Sequence, residues 1–132
     1  MGLGDRVAAD RPLLKHLGIR VEPAGSQGLE LSLEVRPVMV NAQGFCHGGM
    51  LFVLADTACA YALAAAGAAP ATVDASISYL RPALLGDRVL ARAQVRRSGR
   101  RFGHCDVTLE DSAGRPLALY RGTCANLEDQ SR

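Results

Sequence analysis

The sequence has no tryptophan, only three tyrosines and three phenylalanines, and a single lysine, Lys15, beside fourteen arginines. With so little aromatic bulk the core must be built from small side chains, and alanine is abundant. The elements therefore have to approach closely or find further burial in an oligomer. Excess charge is scarce too. Fifteen basic against thirteen acidic residues leave +2, too small by itself to suggest bulk nucleic-acid binding, and no nucleic-acid partner is expected. The four cysteines, Cys46, Cys59, Cys105 and Cys124, lack CxxC spacing, which argues against a zinc site or a disulfide framework and for reduced thiols in a cytoplasmic protein. No GxSxG nucleophile elbow occurs. Residues 1–11 carry Asp5, Arg6, Asp10 and Arg11 with no apolar stretch, so no secretory signal is expected there.

What is present reads as one domain spanning residues 1–132, with 48% apolar and 21% charged residues and enough chain for a single core. Residues 1–14 form a peripheral helix or a flexible arm. The longest apolar run, Met50 to Ala66, carries one charge, Asp56, and just reaches the length of a membrane span. Much of it is weakly hydrophobic alanine, and a central carboxylate adds about 2.5–3.5 kcal/mol to insertion, so a buried central helix is expected and no membrane partner.

Before it, Gln27 to Arg36 alternates apolar Leu29, Leu31, Leu33 and Val35 with polar residues, the period of a half-buried strand. Ile19–Glu22 is its short partner across an Ala24-Gly25-Ser26 turn. Residues 41–49 are loop, and the helix runs from Gly48 or Gly49 to about Gly67. Four strands follow, Thr72–Leu80, Arg88–Arg97, Phe102–Glu110 and Pro116–Asn126, separated by Pro82, Gly86-Asp87, Ser98-Gly99 and Asp111 to Gly114. The plan is α+β, a curved antiparallel sheet wrapped around one long central helix. One sheet of this size cannot enclose such a helix alone, so pairing with a second subunit is expected.

Two features carry chemistry. Asp56 places a carboxylate mid-helix among apolar residues, at a desolvation cost that a hydrogen-bond partner or a catalytic role must answer. His47-Gly48-Gly49 sits where the helix begins; glycines there leave backbone N–H groups open to a ligand, at the positive end of the macrodipole, although a plain turn needs the same residues. Gly48 and Asp56 lie about 12 Å apart along a helix, too far for one carbonyl to touch both. Antiparallel central helices in a two-fold dimer would bring one group from each chain into a shared site.

The stretch from Asn41 to Ala58, with Asn41, His47-Gly48-Gly49 and Asp56 at fixed spacing, resembles the signature of hotdog-fold acyl-CoA thioesterases, specifically the phenylacetic acid degradation (PaaI-type) branch. Tyr79-Leu80-Arg81-Pro82 before Gly86-Asp87, and Leu119 to Thr123, resemble later strands of that family. The resemblance implies hydrolysis of acyl-CoA, with arylacetyl or ring-modified phenylacetyl groups as acyl chains. It makes Asp56 the catalytic carboxylate, Gly48 the oxyanion donor, and Asn41 and His47 supporting residues. Gly49, Tyr79 and Arg81 become substrate contacts, and Met50, Phe52, Leu54 and Tyr61 are candidates to line the acyl pocket, although core packing explains each of these four at least as well. It also implies a homodimer, assembled into a dimer-of-dimers tetramer.

Arg96, Arg97, Arg100 and Arg101 flank a turn, where guanidinium groups can hold the phosphates of coenzyme A, with Arg97, Arg100 and Arg101 the chosen candidates; charged guards on a solvated strand edge are the plainer reading. His104 reads as a structural strand histidine, and Cys46 beside His47 lacks a third group to make a nucleophile pair. No metal or redox cofactor is expected. A hydratase of the same fold and a non-catalytic acyl-CoA binding module are the alternatives.

Overall fold

The alternation between Leu29 and Val35 becomes a strand whose apolar side faces a single long helix. The structure, a computed structural model, describes residues 2–22 and 28–127. Two short helices, α1 (Leu3–Ala9) and α2 (Arg11–Leu17), precede β1 (Arg20–Val21) and β2 (Leu29–Glu34). A 3-10 turn at Pro37–Met39 leads to α3 (Gly48–Ala65), followed by β3 (Pro70–Tyr79), β4 (Arg88–Ser98), β5 (Phe102–Glu110) and β6 (Pro116–Asn126). The strands form one antiparallel sheet in the order β1-β2-β4-β5-β6-β3. The chain leaving α3 thus crosses to the far edge, where β3 has β6 on one side and no described strand on the other.

The expected elements are all there with small shifts. β3 starts at Pro70 rather than Thr72, and α3 stops at Ala65 rather than near Gly67. The early stop has a local cause. Gly67 takes φ 99°, the Ala68 N–H donates to the Leu63 carbonyl at 3.0 Å and the Gly67 N–H to that of Ala64 at 3.0 Å. This Schellman closure satisfies carbonyls that a longer helix would have used. The Ala24-Gly25-Ser26 turn and Gln27 lie outside the described residues. Ser32, on the polar side of β2, is nevertheless buried, because its hydroxyl donates to Glu22 at 2.5 Å.

α3 is long and apolar enough to cross a membrane by length and composition, but here it lies against the sheet. Leu51, Leu54, Ala55, Ala58, Cys59 and Leu63 are buried there, as are Leu31 and Leu33 of β2, Ala91 and Ala93 of β4, and Cys105, Val107 and Leu109 of β5. Small residues on both surfaces permit the close approach anticipated from the composition. At Gly103 even a methyl group would stand 2.7 Å from Leu63 Cδ2.

The amino-terminal helices are pinned to this unit. The Tyr61 hydroxyl donates to Asp10 at 2.7 Å, and the Arg6 guanidinium donates to the Pro70 carbonyl at 2.8 Å. The outer face of the sheet carries ion pairs instead. Arg92 bridges Glu30 and Glu110, and Asp106 receives both Arg96 and Arg121.

Candidate active site

β3 runs back along α3, so that its last residue, Tyr79, meets the helix start at Gly48 and its third, Thr72, meets Asp56. The two ends of this pairing define two half-sites.

The first is at the helix N-terminus. Asn41 organises the preceding loop, its side-chain oxygen accepting the N–H groups of Gln43 at 3.0 Å and Phe45 at 3.1 Å. His47 is the N-cap, with Nδ1 accepting the Gly49 N–H at 2.8 Å, which leaves the neutral ring's proton on Nε2. Met50 donates to the His47 carbonyl at 2.9 Å. The Gly48 N–H, by contrast, has no acceptor among the described residues. The Tyr79 ring covers Gly48 and its hydroxyl donates to the Gly48 carbonyl at 2.7 Å; a Cβ on Gly48 would sit 2.8 Å from Tyr79 Cζ. Gly48 also lines a cleft of about 490 Å³, with Asn41, Phe45, Leu51, Tyr79 and Arg81 among others. An amide without an acceptor among the described residues, at the positive end of a helix and on a residue that lines a cleft, has the chemistry to stabilise a developing oxyanion.

The second half-site is two turns along the helix. Asp56 is half-buried, and two hydroxyls converge on its Oδ1, Thr72 at 2.8 Å and Tyr120 at 2.5 Å. Among the described residues no hydrogen bond reaches Oδ2. Burial, and then the bond to Asp56, raise the Tyr120 phenol well above its ordinary range, so it stays a proton donor. Cys59 and Cys124 lie close by. Cys59 is pushed up to about 12, first by its hydrogen bond with Cys105, and Cys124 is pushed up by its bond with Cys59 and by burial. Such thiols stay protonated, so of these groups the carboxylate is the one with the chemistry of a base or nucleophile at neutral pH.

Within one chain the structure does not bring Asp56 into the Gly48 cleft, whose lining residues do not include it. Asn41, Gly48, Tyr79 and Arg81 do line that cleft together. Gly49 is exposed, with its N–H committed to His47, while Met50 and Phe52 are half-buried on the helix. Phe52 packs edge-on against Tyr120 with ring centroids 5.5 Å apart. Leu54 and Tyr61 are fully buried core side chains. Arg97 is the penultimate residue of β4, and Arg100 and Arg101 lie with Gly99 in the β4–β5 turn. Their carbonyls matter there: the Asn126 side chain donates to Arg100 and its N–H to Arg101, while its Oδ1 accepts the Ala69 N–H. That turn therefore sits by the C-terminal end of α3, away from the same chain's cleft. His104 pairs with Thr123 at 3.1 Å on the outer face, and burial raises the Cys46 thiol.

Sequence reasoning missed Thr72 and the hydroxyl of Tyr120. Tyr120 carried a usable signal. It shares the inward face of β6 with Ala118, Gly122 and Cys124, and a buried tyrosine needs a partner for its hydroxyl.

The comparisons with known proteins point the same way. The thioesterase superfamily model matches residues 43–118. The acyl-coenzyme A thioesterase PaaI of Escherichia coli K12 is 38% identical over 108 residues, 82% of this chain and 77% of that protein. The solved E. coli PaaI structure superposes with a TM-score of 0.86, covering 93% of this chain and 94% of that one at 33% identity. Human acyl-coenzyme A thioesterase 13 is 33% identical over 94 residues, 69% of this chain and 67% of its own. A Streptococcus mutans UA159 protein solved bound to acetyl CoA is 26% identical with a TM-score of 0.77, over 81% of this chain and 86% of its own. A six-stranded antiparallel sheet around one long helix, with a mid-helix carboxylate and a glycine-started helix, is thus found in a chain that belongs to the thioesterase superfamily as a PaaI-type hotdog enzyme.

Proposed function

We propose that the protein hydrolyses acyl-CoA thioesters to the free acid and CoA, acting on arylacetyl groups and their ring-modified relatives, with Asp56 as the working carboxylate. The observation that carries this reading is the arrangement at Asp56: a carboxylate held through one oxygen by two hydroxyls, with the other oxygen left without a partner among the described residues.

The chemistry asks for little more. The acyl carbon of a thioester is electrophilic and a thiolate leaves readily. Either Oδ2 attacks that carbon, expelling the CoA thiolate and leaving an anhydride that water opens, or it takes the proton of a water that attacks. In both routes negative charge builds on the carbonyl oxygen, where a backbone N–H is most useful. Within one chain the Gly48 N–H, which has no acceptor among the described residues, lies two turns of helix from Asp56, so the donor for Asp56 comes from a second copy with its helix antiparallel. Three features support such a pairing: the edge of β3 that no described strand covers, the exposed apolar side chains Val73, Leu80, Leu84 and Leu85, and the wide spacing of Gly48 and Asp56. In that arrangement Arg97, Arg100 and Arg101 of one copy supply charge for the CoA phosphates at the site of the other, and Arg81 lines the cleft itself. Asn41 and His47 hold the loop and the helix start. No metal or redox cofactor enters this chemistry, and the working unit is a homodimer, doubled into a tetramer, in the cytoplasm.

The test is thiol release from a panel of acyl-CoAs, phenylacetyl-CoA and ring-hydroxylated forms against straight-chain ones, with wild type, Asp56→Ala and Asp56→Asn. Turnover disappears in both variants while acyl-CoA binding is retained. Full activity in Asp56→Asn would show that the carboxylate is structural. Oxygen exchange into Asp56 during a single turnover separates direct attack from general-base catalysis.

A further inference from the structure

We infer that Tyr120 is a positioning residue for the thioesterase reaction, a buried hydroxyl donor that locks Asp56 by one oxygen and so assigns the other to chemistry. The inference rests on Asp56 being the working carboxylate and adds which group makes it competent.

Oδ1 has two donors of different kinds. Thr72 is exposed on β3, whose outer side no described strand covers, and its hydroxyl also lies 3.7 Å from the Cys124 thiol. Water can compete for it, and it can turn toward sulfur. Tyr120 has neither freedom. It is 2% exposed, its ring is wedged edge-on against Phe52, and its hydroxyl reaches Oδ1 at 2.5 Å. A donor fixed in this way costs no reorganisation when the carboxylate reacts.

A second, independent feature shows how the strand accommodates this reach. Residues 120 and 122 lie on the same face of β6, and residue 122 is glycine. A Cβ there would stand 2.7 Å from the Tyr120 hydroxyl oxygen, 2.9 Å from its Cε1 and 3.0 Å from the Cys59 sulfur. The phenol therefore lies over the space of a missing side chain, flat along the strand, and its tip arrives at the helix. A tyrosine standing upright from the strand could not lie there. Tyr120 and Gly122 act as one device: the ring supplies the donor, and the glycine supplies the path.

A carboxylate whose Cβ–Cγ bond can turn exchanges its two oxygens, and with only Thr72 to hold it the reacting oxygen is no longer fixed. The loss should fall on kcat, since the change removes only a hydroxyl bonded to Asp56 and leaves the Phe52 contact and the cleft at Gly48 as they are. The test compares Tyr120→Phe with wild type for kcat and KM, with the binding stoichiometry of a non-hydrolysable acyl-CoA thioether measured in parallel to count intact sites. Phenylalanine keeps the ring and its Phe52 contact. The expected result is kcat per intact site lower by about tenfold, the worth of one hydrogen bond to a charged group, with KM unchanged. Gly122→Ala, which pushes the phenol off Asp56, should reproduce the effect. An unchanged kcat per intact site in Tyr120→Phe, or a fall in kcat that only mirrors a fall in stoichiometry, would overturn the inference. Asp56→Asn separates the two readings. If it is inactive while Tyr120→Phe is unimpaired, only the role of Tyr120 is lost; if it is fully active, the carboxylate reading goes first.

Discussion

Replacing Gly48 by alanine isolates the contact between the helix start and Tyr79. The backbone at Gly48 is helical, so alanine fits its dihedrals and should by itself favour the helix by up to about 1 kcal/mol. The methyl group, however, would lie 2.8 Å from Tyr79 Cζ and 2.9 Å from its hydroxyl oxygen. Ordinary carbon contacts need about 3.5–4.0 Å, so the ring must retreat by about 1 Å. Tyr79 is 51% exposed and can do so, at the loss of its bond to the Gly48 carbonyl, worth about 0.5–1.5 kcal/mol. These terms offset one another, and Tm should change by no more than a few degrees. Activity should not be spared, because the displaced ring moves within the cleft that holds Gly48 and Arg81. A misplacement of about 1 Å at a reacting carbonyl can cost about a hundredfold in rate, about 2.7 kcal/mol. The assay is kcat/KM for phenylacetyl-CoA in Gly48→Ala, Tyr79→Ala and the double variant. If the ring is the intermediary, Gly48→Ala costs little in the Tyr79→Ala background. An equal cost in both backgrounds would refute the steric reasoning and assign the whole effect to the amide itself.

Two further outcomes are expected. Asp106 is held down to about 2, first by its hydrogen bond from Arg121, so its pairing contributes stability above the usual carboxylate range that is lost as pH falls from about 4 through about 2. Arg96 and Arg121 are largely exposed, and solvent screening limits the contribution to about 1 kcal/mol; Asp106→Asn should flatten this acid limb in urea unfolding followed against pH. An unchanged limb would show that other carboxylates govern acid unfolding. Replacing Arg97 and Arg100 together should raise KM for acyl-CoA more than it lowers kcat, and an unaltered KM in steady-state kinetics would remove these arginines from phosphate binding.

The helix and the carboxylate were legible because each violates a local expectation. Paired glycines beside His47 mark a helix start, and an acid inside an alanine-rich run cannot be ignored. The faces of β5 are hard to read in the sequence, because Phe102, His104, Asp106 and Thr108 mix apolar and polar residues in one row. They are clean once Gly103, Cys105, Val107 and Leu109 are taken as the inner row, because small and sulfur-bearing residues weaken the hydrophobic signal of a buried face. The partners of Asp56 were not legible. Thr72 lies on the strand after the helix and Tyr120 on the last strand, and only the crossover that sends β3 to pair with β6 brings them to one oxygen. Residue spacing along the chain records no such register. The arginine turn shows the same limit, since its place by the end of α3 is fixed by Asn126, a residue with no motif of its own.

β3 delivers Tyr79 to the helix start and Thr72 to the carboxylate, and it is also the strand with no described neighbour on its outer side. Any strand that docks there grips both half-sites through the same ten residues. Assembly would then act as a tuning step for the chemistry, and dilution would loosen the two sites together. A chain alone in solution would expose this edge, which no described strand covers, beside Thr72 and Tyr79, open to pairing with the wrong partner. Were the proposed pairing to use it, fidelity of pairing and rate of turnover would be tied to one strand, and selection on either would be selection on both.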